Sequence, residues 1–248
     1  FKQDDALKGL LAELQIRDTQ NNPYTENQNT WSSTQANGIY TVKLDQEKNF
    51  TYDGTATNPK ISQVNYQYDL YGNITKKSEM GDTSITTDDR FIYNEYVYNA
   101  TDWIVNTVKN TYRKASNDST KVSESWFYYD GNTDLNTTPT KGNLTKEVKW
   151  LDTTSATNPI TLYSYDTYGN QTSVTDANNN TTSTAFDTSA HTYPISITNA
   201  KNQVTTVSYD LGTGNLLSKT DPNGFTTSYQ YDVFGRIIKE IKQYDSST

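Results

Sequence analysis

From Gly38 onward, apolar and aromatic side chains recur at every second position of short segments. This alternation places them on one face of an extended backbone, so it predicts β-strands with one apolar face. The segments are bounded by Asn, Asp, Gly or Pro, which are turn-forming residues. Typical predicted strands are Ile39–Leu44, Val64–Tyr68, Thr161–Tyr165 and Thr227–Tyr231. The pattern therefore predicts an all-β chain.

Helical periodicity is confined to the beginning of the sequence. Apolar residues between Ala6 and Leu14 recur at intervals of three or four positions, as on one side of a helix. Gly9 interrupts this pattern, and the alternative is a strand over Leu10–Arg17 with Leu14 and Ile16 on the same face. We expect a turn or short helix here, followed by that strand.

An aromatic residue followed by Asp marks a repeat. The pair occurs at Tyr68-Asp69, Tyr129-Asp130, Tyr165-Asp166, Phe186-Asp187, Tyr209-Asp210 and Tyr231-Asp232. The last four pairs follow one another at intervals of 21, 23 and 22 residues. Self-similarity at a nearly fixed period of this length indicates a repeat architecture.

A second turn opens ten residues before the aromatic residue of each of the last three pairs. Its fourth position holds Asn, Asn or Gly, the residue types that best tolerate a positive φ. In the last copy, Pro222 presets φ at the second position, and Asp221 can accept hydrogen bonds from the amides that follow. The three turns are Asp176–Asn179, Asn199–Asn202 and Asp221–Gly224.

A glycine follows each regular Tyr-Asp pair and is predicted to begin the next strand. One repeat then reads as strand, Tyr-Asp-x-x-Gly turn, strand, and Asx-x-x-Gly/Asn turn, which makes a continuing antiparallel meander of hairpins. We assign the motif residues a structural role. They are Tyr68, Asp69, Gly72, Tyr165, Asp166, Gly169, Tyr209, Asp210, Gly214, Asp221, Gly224, Tyr231, Asp232 and Gly235.

The first half of the chain carries the same units with looser spacing. Trp103–Lys109 reads as the strand after a shortened turn, and Asp130 opens a longer loop through Pro139 to Gly142. Insertions of this kind are tolerated because loops lie at the surface. We expect divergent β-hairpins in a lead-in segment, divergent repeats with long loops, and then regular repeats of about 22 residues. The predicted boundaries are 1–60, 61–160 and 161–248.

Composition and charge narrow the classes of function. The 248 residues are only 32% hydrophobic, yet they include 20 Tyr, 7 Phe and 4 Trp, an aromatic content that disordered chains lack. A formal net charge of −8 argues against binding nucleic acid or an anionic membrane surface. The absence of Cys excludes disulfides and thiolate chemistry. No apolar run approaches the length of a membrane span, so we expect no membrane insertion by this segment.

The residues that could carry chemistry have simpler structural explanations. The aspartates recur at one position of every repeat, which favours turn formation over acid–base catalysis. His191 is the single histidine, lies in a longer loop ending at Pro194, and has no nucleophile or carboxylate at suggestive spacing. Gly212-Thr-Gly214 lacks the following helix that a phosphate site needs. We predict no catalytic, cofactor or metal site, and therefore not an enzyme.

These motifs resemble the RHS, or YD-repeat, family. Tyr165–Lys239 matches the family pattern Tyr-Asp-x-x-Gly-Asn/Arg-Leu/Ile followed by Thr-Asp-x-Asn-Gly, while Ala6–Glu13 and Tyr98–Val105 resemble the SpvB-like and insecticidal toxin-complex B-component branch. The resemblance implies a β-strip that winds into a hollow shell around a toxic carboxy-terminal polypeptide. A chain of 248 residues is too short for a closed shell, so a curved segment of the strip is implied.

Two functions follow from the resemblance. The first is a non-enzymatic segment of a secreted or surface-exposed bacterial shell, whose partners are the rest of the shell and an enclosed toxin or effector polypeptide. The alternative is a wall-associated or adhesin module that contacts glycans or a partner cell. Asp221-Pro-Asn-Gly224 also resembles the self-cleaving Asp-Pro-x-Gly motif that closes such shells. A regular repeat follows it directly, so we interpret it as a turn.

Overall fold

Strands and turns make up the whole of the described structure. The computed structural model describes residues 2, 5–52, 57–152 and 156–243, and no helix occurs within these ranges. The seventeen strands are β1 (Glu13–Arg17), β2 (Pro23–Ala36), β3 (Ile39–Thr51), β4 (Lys60–Tyr68), β5 (Ile74–Met80), β6 (Arg90–Asn99), β7 (Ile104–Lys114), β8 (Lys121–Tyr129), β9 (Leu144–Lys149), β10 (Ile160–Tyr165), β11 (Gln171–Thr175), β12 (Thr181–Phe186), β13 (Pro194–Thr198), β14 (Val204–Tyr209), β15 (Leu216–Thr220), β16 (Thr226–Tyr231) and β17 (Ile237–Lys242).

The chain forms two compact units. Unit 1 consists of Phe1–Phe127, Asp134–Thr140 and Lys149–Asn158, and unit 2 of Tyr128–Thr133, Lys141–Val148 and Pro159–Thr248. In unit 1, each strand from β1 to β8 pairs antiparallel with the next one along the chain. The same order continues from β9 to β17 in unit 2. The predicted fold class, a strip of consecutive antiparallel hairpins, is confirmed. The predicted three-segment division stays a prediction.

The alternation of apolar positions located the strands correctly. The four typical predicted strands lie within β3, β4, β10 and β16. At the beginning of the chain, residues 5–9 form turns, and β1 covers Glu13–Arg17. The predicted turn followed by a strand is therefore present, although the strand begins three residues later than Leu10.

A β-bulge recurs at the same point of every regular repeat in unit 2. The pairing register shifts at the aromatic residue before each Asp, namely at Tyr165, Phe186, Tyr209 and Tyr231. Two residues of the following strand then oppose that single aromatic residue. Bulges bend the strand and increase its twist, so each repeat carries its own local bend.

The predicted start of the second strand in each repeat is wrong by two residues. β5, β11, β15 and β17 begin two positions after Gly72, Gly169, Gly214 and Gly235, respectively. These glycines have φ between 76° and 90°, a conformation incompatible with an extended strand. In the turn that contains Gly169, the glycine amide donates to the carbonyl of Asp166, so the glycine completes the turn.

Trp103 was also predicted to begin a strand, and this is wrong. Its φ is 57°, and β7 begins at the next residue, Ile104. Trp103 therefore has the left-handed conformation that glycine has in the regular turns, and its side chain is 73% exposed. The sequence between Tyr98 and Trp103 contains no glycine, so the shortened turn places a tryptophan at this position.

Few side chains are fully buried. Among the described residues, the buried hydrophobic side chains are Leu7, Phe91 and Val97, and Pro139 is the largest side chain with almost no exposed surface. All four belong to unit 1. The described part of unit 2 therefore has no buried hydrophobic residue, and its apolar side chains are half-buried or exposed on the faces of the strands.

Candidate functional site

The Tyr-Asp turns are closed by their own aspartates. Asp166 Oδ1 accepts hydrogen bonds from the amides of Tyr168 and Asn170, both at 2.9 Å, and its Oδ2 accepts one from the Asn170 side chain at 2.9 Å. The Asn170 side chain contributes most to a pKa of Asp166 below the usual range. Asp69 and Asp232 make the same amide contacts, two and four residues ahead.

The Asx turns at the other ends of the strands have a similar arrangement. Asp221 Oδ1 accepts hydrogen bonds from the amides of Asn223 and Phe225, both at 2.9 Å. The fourth turn positions, Asn179, Asn202 and Gly224, have φ of 64°, 59° and 88°, which confirms the predicted left-handed conformation. Asp221 thus lies in a regular turn between β15 and β16.

Asp187 binds more amides than the other turn aspartates. Its Oδ1 accepts hydrogen bonds from the amides of Ser189, Ala190 and His191, and its Oδ2 from those of Thr192 and Tyr193. The residue is only 7% exposed. The amides of Tyr193 and Thr192 do most to hold the pKa of its carboxyl far below the usual range. The long loop of this repeat is therefore folded around one carboxylate.

His191 lies in that loop, as predicted, and contacts the neighbouring turn. Its imidazole stacks on the ring of Tyr168, with centroids 3.9 Å apart and an interplanar angle of 10°. Its carbonyl oxygen accepts a hydrogen bond of 2.7 Å from the side chain of Asn170. These contacts join two consecutive turns along one edge of unit 2.

The carboxylate of Asp130 also accepts hydrogen bonds from amides of its own loop, which is longer than the regular turns. Asp130 Oδ2 accepts hydrogen bonds from the amides of Lys141 and Gly142, at 3.0 and 3.1 Å, and Oδ1 accepts one from Asn143 at 2.9 Å. The carboxylate therefore fixes both ends of the inserted loop. Burial raises the pKa of the adjacent Tyr129 to about 12.

A cluster of cations and aromatic rings in unit 1 was not predicted from the sequence. Lys76 Nζ lies 2.8 Å from Asp118 Oδ2, and the Tyr93 hydroxyl lies 2.7 and 2.8 Å from the two carboxylate oxygens. The Tyr93 ring stacks on Tyr112 at 4.9 Å, and Lys76 and Lys114 lie over the Tyr93 ring. Strand register brings the rings together, whereas Asp118 comes from the β7–β8 turn.

Two adjacent acids line an open cleft of about 430 Å³ in unit 1. Burial raises the pKa of Asp89, and the charge of Asp88 adds to this effect. Arg90, Arg113 and Lys114 line the same cleft. Within the ranges that the structure describes, no three acidic or histidine side chains are grouped to hold a metal ion. His191, the single histidine, belongs to unit 2 and is not among the residues that line this cleft.

The pairing register divides unit 2 into two chemically different faces. Directly opposed residues of neighbouring strands share a face, and alternate residues of one strand do too. One face, called the tyrosine face, contains Tyr163, Val174, Ile197, Val207, Tyr209 and Tyr229. The opposite face, called the hydroxyl face, contains Ser164, Ser173, Ser183, Thr198, Thr206 and Ser218, together with the exposed aliphatic residues Leu162, Val204 and Ile241.

A known repeat family matches the most regular part of unit 2. The sequence model of the RHS Repeat family matches residues 211–242, which include β15, β16, β17 and the turns between them. This part of the chain is therefore similar to an RHS repeat. Comparison with the sequences of curated proteins finds no match.

Solved structures extend the RHS assignment to the fold of nearly the whole chain. The crystal structure of TcdB2-TccC3-Cdc42 superposes with a TM-score of 0.71 at 12% identity, covering 95% of this chain and 16% of that one. The pore of a Photorhabdus luminescens Tc holotoxin with a TccC3 variant gives 0.68 at 12% identity, covering 94% and 16%. The TcdB2-TccC3 structure without its hypervariable C-terminal region gives 0.67 at 14% identity, again covering 94% and 16%. The chain therefore has the RHS shell fold and spans about a sixth of these chains.

Proposed function

We propose that this chain is a non-enzymatic structural segment of an RHS-repeat shell. The shell encloses and shields a carboxy-terminal toxin or effector polypeptide of a secreted or surface-exposed bacterial protein. The partners of the segment are then the remaining repeats and the enclosed polypeptide. The observation that carries the proposal is the likeness of 95% of this chain to TcdB2-TccC3-Cdc42 at a TM-score of 0.71.

The contacts of the repeat aspartates support a structural role for the motif. In the turns of Asp69, Asp166 and Asp232, carboxylate oxygens accept amide hydrogen bonds from the same turn. A carboxylate held in this way is a poor proton acceptor, because the bonds favour its ionised form. We assign catalysis to none of the motif residues and propose no cofactor, metal or nucleic-acid partner.

The proposed segment has three parts with different roles. Residues 1–60 lead in, 61–160 carry divergent repeats with long loops, and 161–248 repeat regularly at about 22 residues. Regular repeats pair with neighbours of the same structure and lengthen the sheet, whereas the insertions change the structure of single turns.

The proposal is tested on the longer protein that it requires. Limited proteolysis is followed with an antibody against the polypeptide downstream of the repeats. We expect this polypeptide to resist digestion in the intact protein and to become sensitive when residues 161–243 are deleted. A downstream polypeptide that is digested equally fast in both proteins would contradict the shell. Specific binding of the purified chain on a glycan array would instead support the adhesin.

A further inference from the structure

Two arginines lie side by side at the open cleft of unit 1. Arg113 in β7 opposes Ile92 in β6, and Arg90 precedes Ile92 by two positions, so both arginines belong to the same face of the sheet. Diagonal neighbours of this kind are about 7–8 Å apart, within reach of two long side chains. Both arginines are exposed, and both line the cleft of about 430 Å³.

The guanidinium groups of these two arginines have no partner. In the part of the chain that the structure describes, neither group forms an ion pair or a hydrogen bond. The other two arginines of the chain are held in place. Arg17 donates to Gln15 Oε1 and to the carbonyl of Asn21, and Arg236 pairs with Asp232. A free guanidinium fork is a strong donor to anions, because it can form two parallel hydrogen bonds with one of them.

Three acids in the described ranges lie near these arginines, and none of them forms an ion pair with either one. Glu79 opposes Arg90 in the sheet, but its carboxylate binds Lys77 at 2.6 Å. Asp88 Oδ2 accepts a hydrogen bond of 2.9 Å from an amide of the β5–β6 connection. Asp89 is only 5% exposed, and burial raises the pKa of its carboxyl. Both guanidinium groups are therefore available to an anion from outside the chain.

Cations outnumber carboxyl groups in the lining of the cleft. Lys114 lines it together with the two arginines, and its acids are Asp88 and Asp89. A carboxyl with a raised pKa opposes an anion less than an ordinary aspartate does, because it ionises less readily. The cleft therefore favours an anion, although the whole chain has a formal net charge of −8.

We propose that this cleft binds a small phosphate monoester, with the phosphate group between Arg90 and Arg113. A phosphate monoester carries close to two negative charges at neutral pH and has three acceptor oxygens, whereas a carboxylate or a sulfate ester carries one charge. Two guanidinium groups match the phosphate both in charge and in the number of paired donors. The site lies outside the Tyr-Asp repeat motif, so the inference goes beyond the proposed function.

The rest of the cleft accommodates the organic part of the ligand. Ala115 and Val122 also line it, and Val122 is 56% exposed, so they offer an apolar wall beside the arginines. The volume of about 430 Å³ is within the range of small-molecule sites. The net charge of −8 repels long polyanions more strongly than it repels a single phosphate. These features favour a compact ester over a nucleic acid.

The test uses the purified chain and two ligands with the same organic part, phenyl phosphate and phenyl sulfate. Binding is followed by the shifts of backbone amide signals in two-dimensional NMR spectra during titration. We expect saturable binding of phenyl phosphate at millimolar concentrations or below, with shifts at Ala115 and Ser116, which line the cleft. The Kd of phenyl sulfate should be at least tenfold higher, because it has one negative charge fewer.

Substitution of single arginines identifies the binding groups. Arg90→Gln and Arg113→Gln each remove one cation, and we expect each to raise the Kd of phenyl phosphate at least fivefold. The matched control is Arg17→Gln, which removes an exposed arginine from β1 of the same unit. Its Kd should change less than twofold.

Circular dichroism and thermal melting establish that the three variants are folded. If Arg90→Gln is not, Arg113→Gln and Arg17→Gln alone form the matched pair. No saturable binding of phenyl phosphate, an equal Kd for the two esters, or an equal loss of affinity in Arg17→Gln would overturn the inference. So would benzoate binding as tightly as phenyl phosphate, because a single carboxylate would then satisfy the site.

Discussion

At the scale of single residues, one carboxylate can organise a whole loop. Asp187 accepts hydrogen bonds from five consecutive amides, while Asp176 at the opposite edge accepts two amides and one side-chain amide. Asp187→Ala removes a nearly buried carboxylate that is the common acceptor of five amides, whereas water can replace the exposed Asp176. We expect Asp187→Ala to lower Tm clearly more than Asp176→Ala, as measured by circular dichroism. Equal decreases would contradict the difference in burial.

The pH dependence of this effect has a definite sign. The folded pKa of Asp187 is depressed below the value of about 3.9 for an unfolded aspartate. Its contribution to stability is therefore fully present above that unfolded pKa and is lost as the pH falls through the folded pKa. The Tm difference between the unaltered chain and Asp187→Ala should be constant from pH 8 to about pH 5 and should narrow below about pH 4. A difference that grows on acidification would exclude this explanation.

Two glycines of unit 2 allow the cost of a strained backbone conformation to be distinguished from the cost of limited space for a side chain. Gly169 has φ of 90° with nothing within 4 Å of an added Cβ, whereas Gly212 is not in the left-handed region and its added Cβ would lie 3.4 Å from the Asp210 carboxylate. Gly169→Ala should lower the free energy of unfolding by about 1–2 kcal/mol through strain alone. Gly212→Ala should change it by less than about 0.5 kcal/mol, or raise it slightly. Urea denaturation measures both, and similar losses would show that strain is not the cause.

At the scale of elements, side chains from two strands and a turn combine in unit 1. The Tyr93 hydroxyl and Lys76 both contact Asp118. Burial alone would raise the pKa of Asp118, but hydrogen bonds from Lys76 and Tyr93 lower it below the usual range. Tyr93→Phe should cost about 1 kcal/mol, because the bond to a charged but partly exposed group is lost. Asp118→Asn tests the partner without disturbing its φ of 52°, which Asn tolerates.

The effects of Tyr93→Phe and Asp118→Asn on the free energy of unfolding should not be additive. A double-mutant cycle in urea should give a coupling energy of about 1 kcal/mol, since each single change removes the same contact. The control cycle combines Tyr93→Phe with Asp18→Asn, whose carboxylate is bonded to Asn22 and Gln20 in its own turn. That pair should be additive, and coupling in both cycles would indicate a global effect.

An element could be predicted from the sequence where the residues that determine it are close together in the chain. Alternation located β4 and β16, because one face of each strand is more apolar than the other. The bulge at Tyr231 depends on how the next strand pairs, so the alternation of apolar residues does not predict it, although it recurs at the aromatic residue before Asp in each regular repeat. Trp103 was misplaced because its left-handed conformation follows from the shortened turn, and tryptophan normally indicates a strand. Asp118 escaped notice because it is 42 residues from Lys76.

At the scale of the whole molecule, unit 2 behaves as an array in which each described strand contacts only the strands next to it. Removing residues 210–231 takes out one complete repeat and joins Tyr209 directly to Asp232. The junction recreates the Tyr-Asp pair, and β17 can then pair with β14 as it now pairs with β16. We expect a cooperatively folded chain whose urea m-value falls by about a tenth, in proportion to the surface lost.

The matched control removes residues 210–220, half a repeat, and joins Tyr209 to Asp221. β16 would then pair with β14 across the Asx turn, with Tyr209 taking the position of Thr220 opposite Thr226. Tyr209 belongs to the tyrosine face and Thr226 to the hydroxyl face, so this pairing would turn the aromatic side chains of β16 to the wrong side. The shorter deletion should therefore be the more damaging one, with a lower Tm and a broader urea transition. If both deletions were tolerated equally, the alternation of faces would not govern which repeats can adjoin.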